Sequence, residues 1–365
     1  METYRTIPVV KQLLLACFFT SLIFLTACST NESDSPKEIE PHAGGTITAS
    51  DTSQGVTLSL DSIKVADLRL NLQPHQTVRY RITSDANLRQ DKMTMDRNED
   101  LITEFTVDNV DNSGNTTVRL KFKKIATDTK INDEANPSPL PQVRFNSDDS
   151  TQRSDPKFLQ FASLLDTPIG ITVNKRNRVI RVTGAGAIVD RVTSGLAADK
   201  AMGQNPNELD KQRLQQAIEG TVITPKAQML FPSLPDSAIT EGLEWTRTER
   251  AFLNELLAVK TTDTFRITSI RMVKGKKLAT IEAKLGGVLS LRPVPDHVNP
   301  KPTLKLKSYN LSGTARIIVD LETGLTIHNK TTVKNGATIE LSAPGQPAKT
   351  LVQNQNQTFT VELLP

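Results

Sequence analysis

The chain has 365 residues, a formal net charge of +4, 4% aromatic residues with a single tryptophan, and two cysteines. Basic residues are interspersed with acids, so nothing points to nucleic acid, and so few aromatics leave little for a base-stacking platform. Two cysteines also exclude an internal framework of several disulfides.

The N-terminus carries Arg5 and Lys11, then "QLLLACFFTSLIFLTA" from Gln12 to Ala27. At about sixteen residues this apolar run is shorter than the ~20 that a membrane-spanning helix needs, and it reads as a secretory signal peptide over residues 1–27. Leu25-Thr26-Ala27-Cys28 resembles the lipobox of bacterial lipoproteins. That resemblance implies that a diacylglycerol alkylates the Cys28 thiol and that cleavage leaves Cys28 as the first residue. The similar "LLAC" ending at Cys17 follows a core broken by Lys11. Cleavage leaves Cys28 as the only thiol in an oxidising compartment, which fits a lipid attachment site. Several acyl chains, at ~0.8 kcal/mol per buried CH₂, make such an anchor stable. In some diderm bacteria an aspartate after the cysteine retains a lipoprotein at the inner membrane; Ser29 stands there. The expected location is the bacterial cell envelope, lipid-anchored, at the outer membrane.

Residues 28–55 are polar, with Glu32, Asp34, Glu38, Glu40 and Asp51 against Lys37, and read as a disordered tether. Beyond them the expected class is mainly β (α+β): a first β unit over 56–184, a helical linker over 185–231 and a second β unit over 232–365, as one domain or two. Period-two alternation carries this reading. Val78, Tyr80 and Ile82 share one face opposite Arg79 and Arg81, and Val118, Leu120 and Phe122 repeat the pattern. Half-buried antiparallel strands look like this. Turns are expected at 111–115, 174–177, 322–324 and, most sharply, at Asn335-Gly336 as a type I′ hairpin. The stretch 128–142 is a polar, proline-rich excursion in which no regular element is expected.

Asp155-Pro156, Asn205-Pro206 and Thr224-Pro225 each pair an N-cap residue with proline at the first helical position, so short helices should follow. Phe158, Phe161, Ala162 and Leu165, then Leu214, Ala217 and Ile218, supply apolar stripes; Met229 and Leu230 are expected in the core.

The two ends of this core resemble each other. "TVRYRITSD" matches "LEWTRTER", and "GITVNKRNRVIRVTG" matches "ARIIVDLETGLTIHNKT", setting Tyr80 against Trp245, Phe105 against Phe265, Phe122 against Ile281 and Val173 against Val319. Two related antiparallel β units joined by a helical segment are expected, with Trp245 anchoring the core of the second. The stretches "LRLNLQPHQTVRYRIT", "VRFNSDD", "GITVNKRNRVIRVTG", "FPSLPDSAITEGLEWTRT" and "LSGTARIIVDLETGLTIHNKT", in that order, resemble the bacterial envelope proteins grouped as domain-of-unknown-function family 6263. In that family's pattern an aspartate is usual where Asn146 stands, a glycine where Asn177 stands and an acid where Leu243 stands. The resemblance implies no activity and assigns no catalytic residue.

Motifs of chemistry do not complete themselves. "VIRVTGAGAIVDRV" has Gly184 and Gly186 but Val189 at the third glycine position of a dinucleotide loop, so a tight turn after a strand is the better account. "DNVDNSGN" alternates Asn109, Asp111 and Ser113, but its register puts Leu120 where a calcium loop needs an acid, which favours a hairpin loop. His42, His75, His297 and His328 have no second histidine at ligand spacing. No catalytic residue, cofactor or metal is expected, nor an enzyme. The expected function is a non-catalytic binding or structural module that meets the membrane through its anchor and holds an envelope protein partner. The alternative is a carrier or chaperone for an acyl chain or other hydrophobic ligand.

Overall fold

The computed structural model describes residues 56–57, 70–134, 142–198, 207–232, 234–235, 238–252, 257–293, 303–342 and 347–365. The signal peptide, Cys17, Cys28, the tether, His42, His297 and Asn205-Pro206 lie outside them. One 13-stranded sheet dominates. The first half of the chain contributes β1 (Val56–Thr57), β2 (Thr77–Gln90), β3 (Met93–Val110), β4 (Thr116–Asp133), β5 (Val143–Asn146), β6 (Ile169–Val173) and β7 (Val179–Thr183). Its second half contains β8 (Glu244–Phe252), β9 (Leu257–Val273), β10 (Lys276–Leu291), β11 (Thr303–Asp320), β12 (Thr326–Ser342) and β13 (Lys349–Leu364). Helices fall between them: α1 (Ser150–Ser154), a 3₁₀ turn at Pro156–Phe158, α2 (Leu159–Ala162), α3 (Ala185–Ala198), α4 (Glu208–Ala217), a π-helical turn at Ile218–Ile223 and α5 (Thr224–Leu230).

The strands lie in the order β1-β9-β10-β11-β12-β13-β2-β3-β4-β6-β7, with β5 also on β4 and β8 also on β9. The fold is thus mainly β, with one helical segment between two groups of strands, as the alternating pattern predicts. Val78, Tyr80, Ile82, Val118, Leu120 and Phe122 are all buried on the inner face. On the outer face Arg81 meets Asp100 at 2.8 Å and Arg119 meets Asp108 at 2.7 Å.

The two groups are related units, each a five-strand ladder: β2-β3-β4-β6-β7 and β8-β9-β10-β11-β12. Each begins with the same turn. His75 N–H donates to Val107 O (2.8 Å) and Gly242 N–H to Ile267 O (2.8 Å), while Val107 and Ile267 donate back to Gln76 O (2.9 Å) and Leu243 O (3.0 Å). Both turn residues are left-handed, His75 at φ 68° and Gly242 at φ 84°. The register then skips Asp108 in β3 and Thr268 in β9, and later Ile180 in β7 and Ile327 in β12. Shared bulges are features of a fold, not accidents of one strand. β13 pairs with both β12 and β2 and joins the units into one sheet.

These ladders correct the expected residue matches. Trp245 pairs with Phe265 as Val78, not Tyr80, pairs with Phe105. Ile281 pairs with Ile267 as Val118, not Phe122, pairs with Val107. A slip of two or four residues keeps every side chain on its own face, so alternation alone cannot detect it.

Three other expectations are overturned. Asn335-Gly336 is no hairpin: both residues sit inside β12, opposite Leu311 and Asn310 on one side and Gln355 and Asn354 on the other. A turn dipeptide acts only if its flanking runs pair with each other, and here longer ladders claim both. β4 continues to Asp133 and so occupies the start of the stretch expected to be irregular, while residues 135–141 lie outside the described residues. Finally, a short helix does follow Thr224-Pro225, as α5, but Thr224 is not its N-cap, because helical structure is unbroken from Glu208 to Leu230. Thr224 N–H reaches back five residues to Glu219 O, the π spacing, and this wider turn accommodates the proline ring.

Candidate functional site

The inner face of the sheet is one continuous surface. Across it runs a row of mutually paired residues, Ile267, Ile281, Ile317, Asn329, Val361, Ile82 and Leu101. The sheet rolls until its margins face each other. Arg178, just before β7, meets buried Glu249 of β8 at 3.0 Å, and Leu234 N–H donates to Arg176 O at 3.3 Å.

Helix α5 fills this roll. Pro225, Lys226, Ala227, Gln228, Met229 and Leu230 are all buried. A helix that presents every face to protein must also satisfy its polar groups there. Lys226 Nζ lies 3.1 Å from Glu99 Oε2 on β3. Gln228 accepts from Val179 N–H (2.9 Å) and donates to Asn177 O (2.7 Å), which ties the helix to the edge of the first unit. Thr326 Oγ1 of the second unit donates to Leu230 O at 3.0 Å. Phe231, next to the helix, packs its ring 5.3 Å from that of Phe105.

Between α5 and the sheet lies a space of about 110 Å³, bordered by Pro225, Met229, Phe265, Ile317 and Phe359. Ligand pockets are typically ~300–1,000 Å³. One polar wall belongs to it, where Arg247 holds Asp263 at 3.1 Å and approaches Glu249 at 3.6 Å. Burial raises the Asp263 pKa against the pull of Arg247. On the first unit's side of α5, burial opposes ionisation of Glu99, but Lys226 and Arg97 outweigh it and hold the carboxyl down at about 2. These charges make ion pairs that position the helix and the sheet margins.

Sequence reading did not single out Lys226, Glu99, Arg247 or Asp263. Three of the four were within its reach: Glu99 shares inward parity with Leu101, Arg247 with Trp245 and Asp263 with Phe265. A charge on an apolar face is the signal of a buried pair. Trp245 does join the second unit's core, stacked on Phe265 with centroids 5.2 Å apart. His75 sits in its turn, and Asp111 closes a hairpin loop by accepting from Ser113 and Asn115 N–H groups, each at 2.9 Å. Gly184, at φ 90°, turns the chain from β7 into α3, within an antiparallel and not a parallel sheet. Among the described residues no three His, Cys, Asp or Glu side chains converge as metal ligands.

A second concavity lies on the outer face of the second unit. It holds about 810 Å³ and is bordered by Thr264, Arg266, Glu282, Lys284, Thr314, Arg316, His328, Lys330 and Thr332. Burial lowers the His328 pKa, reinforced by Arg316 and Lys330 and opposed by Glu362.

A rolled antiparallel sheet with its own helix inside defines the structural class. The chain belongs to a family of unknown function (DUF6263), whose model matches residues 113–326. No curated protein is detectably similar to it. Among solved structures, one of lipovitellin describing lipid–protein interactions superposes with a TM-score of 0.40 at 10% identity, over 81% of this chain and 26% of lipovitellin. This chain therefore spans about a quarter of that protein's length. An outer membrane channel from Pseudomonas putida F1 gives 0.21 at 8% identity, over 82% and 98% of the two chains. OccK5 from Pseudomonas aeruginosa gives 0.20 at 6%, over 80% and 99%. Such scores reflect large antiparallel sheets and define no common fold. Among the described residues no helix is long and apolar enough to cross a membrane.

Proposed function

We propose that this protein is a non-catalytic binding or structural module of the bacterial cell envelope, held at the membrane by lipid on Cys28 and acting through the outside of its sheet. The observation that carries this reading is the burial of every residue from Pro225 to Leu230 inside the roll. A carrier needs room for an acyl chain, and the space of about 110 Å³ beside α5 falls short of the ~300 Å³ at which ligand pockets begin. Residues pinned to β3, β7 and β12 at once do not form a hinged lid. The outer face of the sheet remains for partners.

The test is native mass spectrometry of the chain from residue 28 onward carrying Cys28→Ser, exported on a cleavable signal peptide and purified from cells. The expected spectrum is that of the bare polypeptide. Reproducible co-purification of one acyl-containing ligand per chain would overturn the reading in favour of a hydrophobic-ligand carrier.

A further inference from the structure

Both outer faces carry ion pairs, Arg266–Glu244 (3.7 Å) and Lys307–Glu340 (2.8 Å) among those of the second unit, but the second also carries a run of unpaired cations. In the first, Arg79, Arg81, Arg119, Lys123 and Lys124 each face a carboxylate within an ion pair. In the second, Lys260, Lys284, Arg316, Lys330 and Lys334 are all exposed, and among the described residues none of the five is within ion-pair distance of a carboxylate. Arg316 stands between Lys330 on β12 and Glu282 on β10 in the ladder. Like charges placed opposite each other destabilise a sheet, so the Arg316–Lys330 pairing is unfavourable in itself, although Glu282 faces Arg316 from the other side. Lys284 lies one row away, opposite Thr314, on the same concavity of about 810 Å³.

Beside Lys260, and four residues along β10 from Lys284, is an apolar side chain exposed to water. Val288 is 62% exposed and pairs with Lys260 across the ladder. Cations around an exposed apolar tip are what an interfacial surface presents, since each basic group near an anionic membrane contributes ~1 kcal/mol and apolar atoms enter the head-group boundary. An acidic protein segment would match the charge but would leave Val288 without a purpose.

We infer that the outer face of the second unit docks on an anionic lipid surface, with Lys284, Arg316 and Lys330 meeting phosphate head groups and Val288 at the boundary. This rests on the envelope reading only for the membrane's being within reach. Failure of the docking shows in vesicle binding, whereas failure of that reading shows in the fate of Cys28.

The experiment is co-sedimentation of the chain from residue 28 onward, carrying Cys28→Ser, which contains every described strand and helix. The probes are vesicles of phosphatidylethanolamine with phosphatidylglycerol, vesicles of phosphatidylcholine, and a soluble polyglutamate peptide. Binding should favour the phosphatidylglycerol vesicles and fade at high salt as exposed charges are screened. Combining Lys284→Glu, Arg316→Glu and Lys330→Glu should lower partitioning about a hundredfold. Arg89→Glu, Lys121→Glu and Lys130→Glu on the first unit, an equal change of charge, should leave it within about threefold. Equal binding to both vesicle types overturns the inference, as does equal loss in the two triple variants. Binding of polyglutamate in place of vesicles would also overturn it and assign the face to an acidic protein.

Discussion

Lys226 Nζ of α5 lies 3.1 Å from Glu99 Oε2 of β3, and both side chains are almost fully withdrawn from water. Arg97 joins Glu99 from the same strand, so one carboxylate balances a cation from the helix and one from the sheet. The pair fixes where α5 sits in the roll.

Lys226→Met keeps the length of the side chain but leaves Glu99 and Arg97 without the helix partner. The expected cost is about 3 kcal/mol, because stranding one member of a buried pair is strongly destabilising even where the intact pair adds little. Denaturant unfolding at neutral pH should show a lower midpoint with an unchanged slope. A midpoint shift equivalent to under about 0.5 kcal/mol would mean that the helix is not held by this contact.

The same site predicts an acid limit. The folded pKa of Glu99 is about 2 against an ordinary 4.5. A depressed carboxylate contributes stability that is complete above the unfolded value and is lost as pH falls towards the folded one. Unfolding midpoints should therefore drop between about pH 4.5 and pH 2, and Lys226→Met should flatten part of that drop. Parallel curves for the two proteins would contradict the assignment.

Much of this architecture is legible in the sequence, and the reason is physical. Val78, Tyr80 and Ile82 alternate with Arg79 and Arg81 because one face of the sheet is wet, so fold class and inward residues can be read directly. Register cannot, as Trp245 taking the place of Val78 illustrates. Asn335-Gly336 misleads because turn chemistry is local and strand pairing is not. The helix inside the roll is half legible: Met229 and Leu230 are core as expected, but the lysine and glutamine of "TPKAQML" mark a surface face until Glu99 and the Asn177 backbone are brought to meet them.

The repeated opening turn can be tested by substitution. Gly242 has open space where an added methyl group would stand, so Gly242→Ala is opposed only by its φ of 84°. A loss of about 1–2 kcal/mol is expected. His75 has the same conformation in the first unit, so His75→Gly should be neutral or stabilising. If calorimetry gave the reverse order of effects, the two turns would not be equivalent.

Lipid attachment is the proposal with the simplest genetic test. Cys28→Ser should abolish incorporation of labelled fatty acid and release the protein to the soluble envelope fraction, while Cys17→Ser should change neither. Normal labelling of the Cys28 variant would remove the anchor from the account.

The central claim is that α5 belongs permanently to the interior and does not open to admit a ligand. Native-state amide hydrogen exchange reads this directly, since segments that open locally exchange faster than the globally protected core. Amides from Ala227 to Leu230 should be protected to within about tenfold of those in β3 and β4. Exchange in α5 at least a hundredfold faster than in those strands would show an interior that opens, and would contradict the claim.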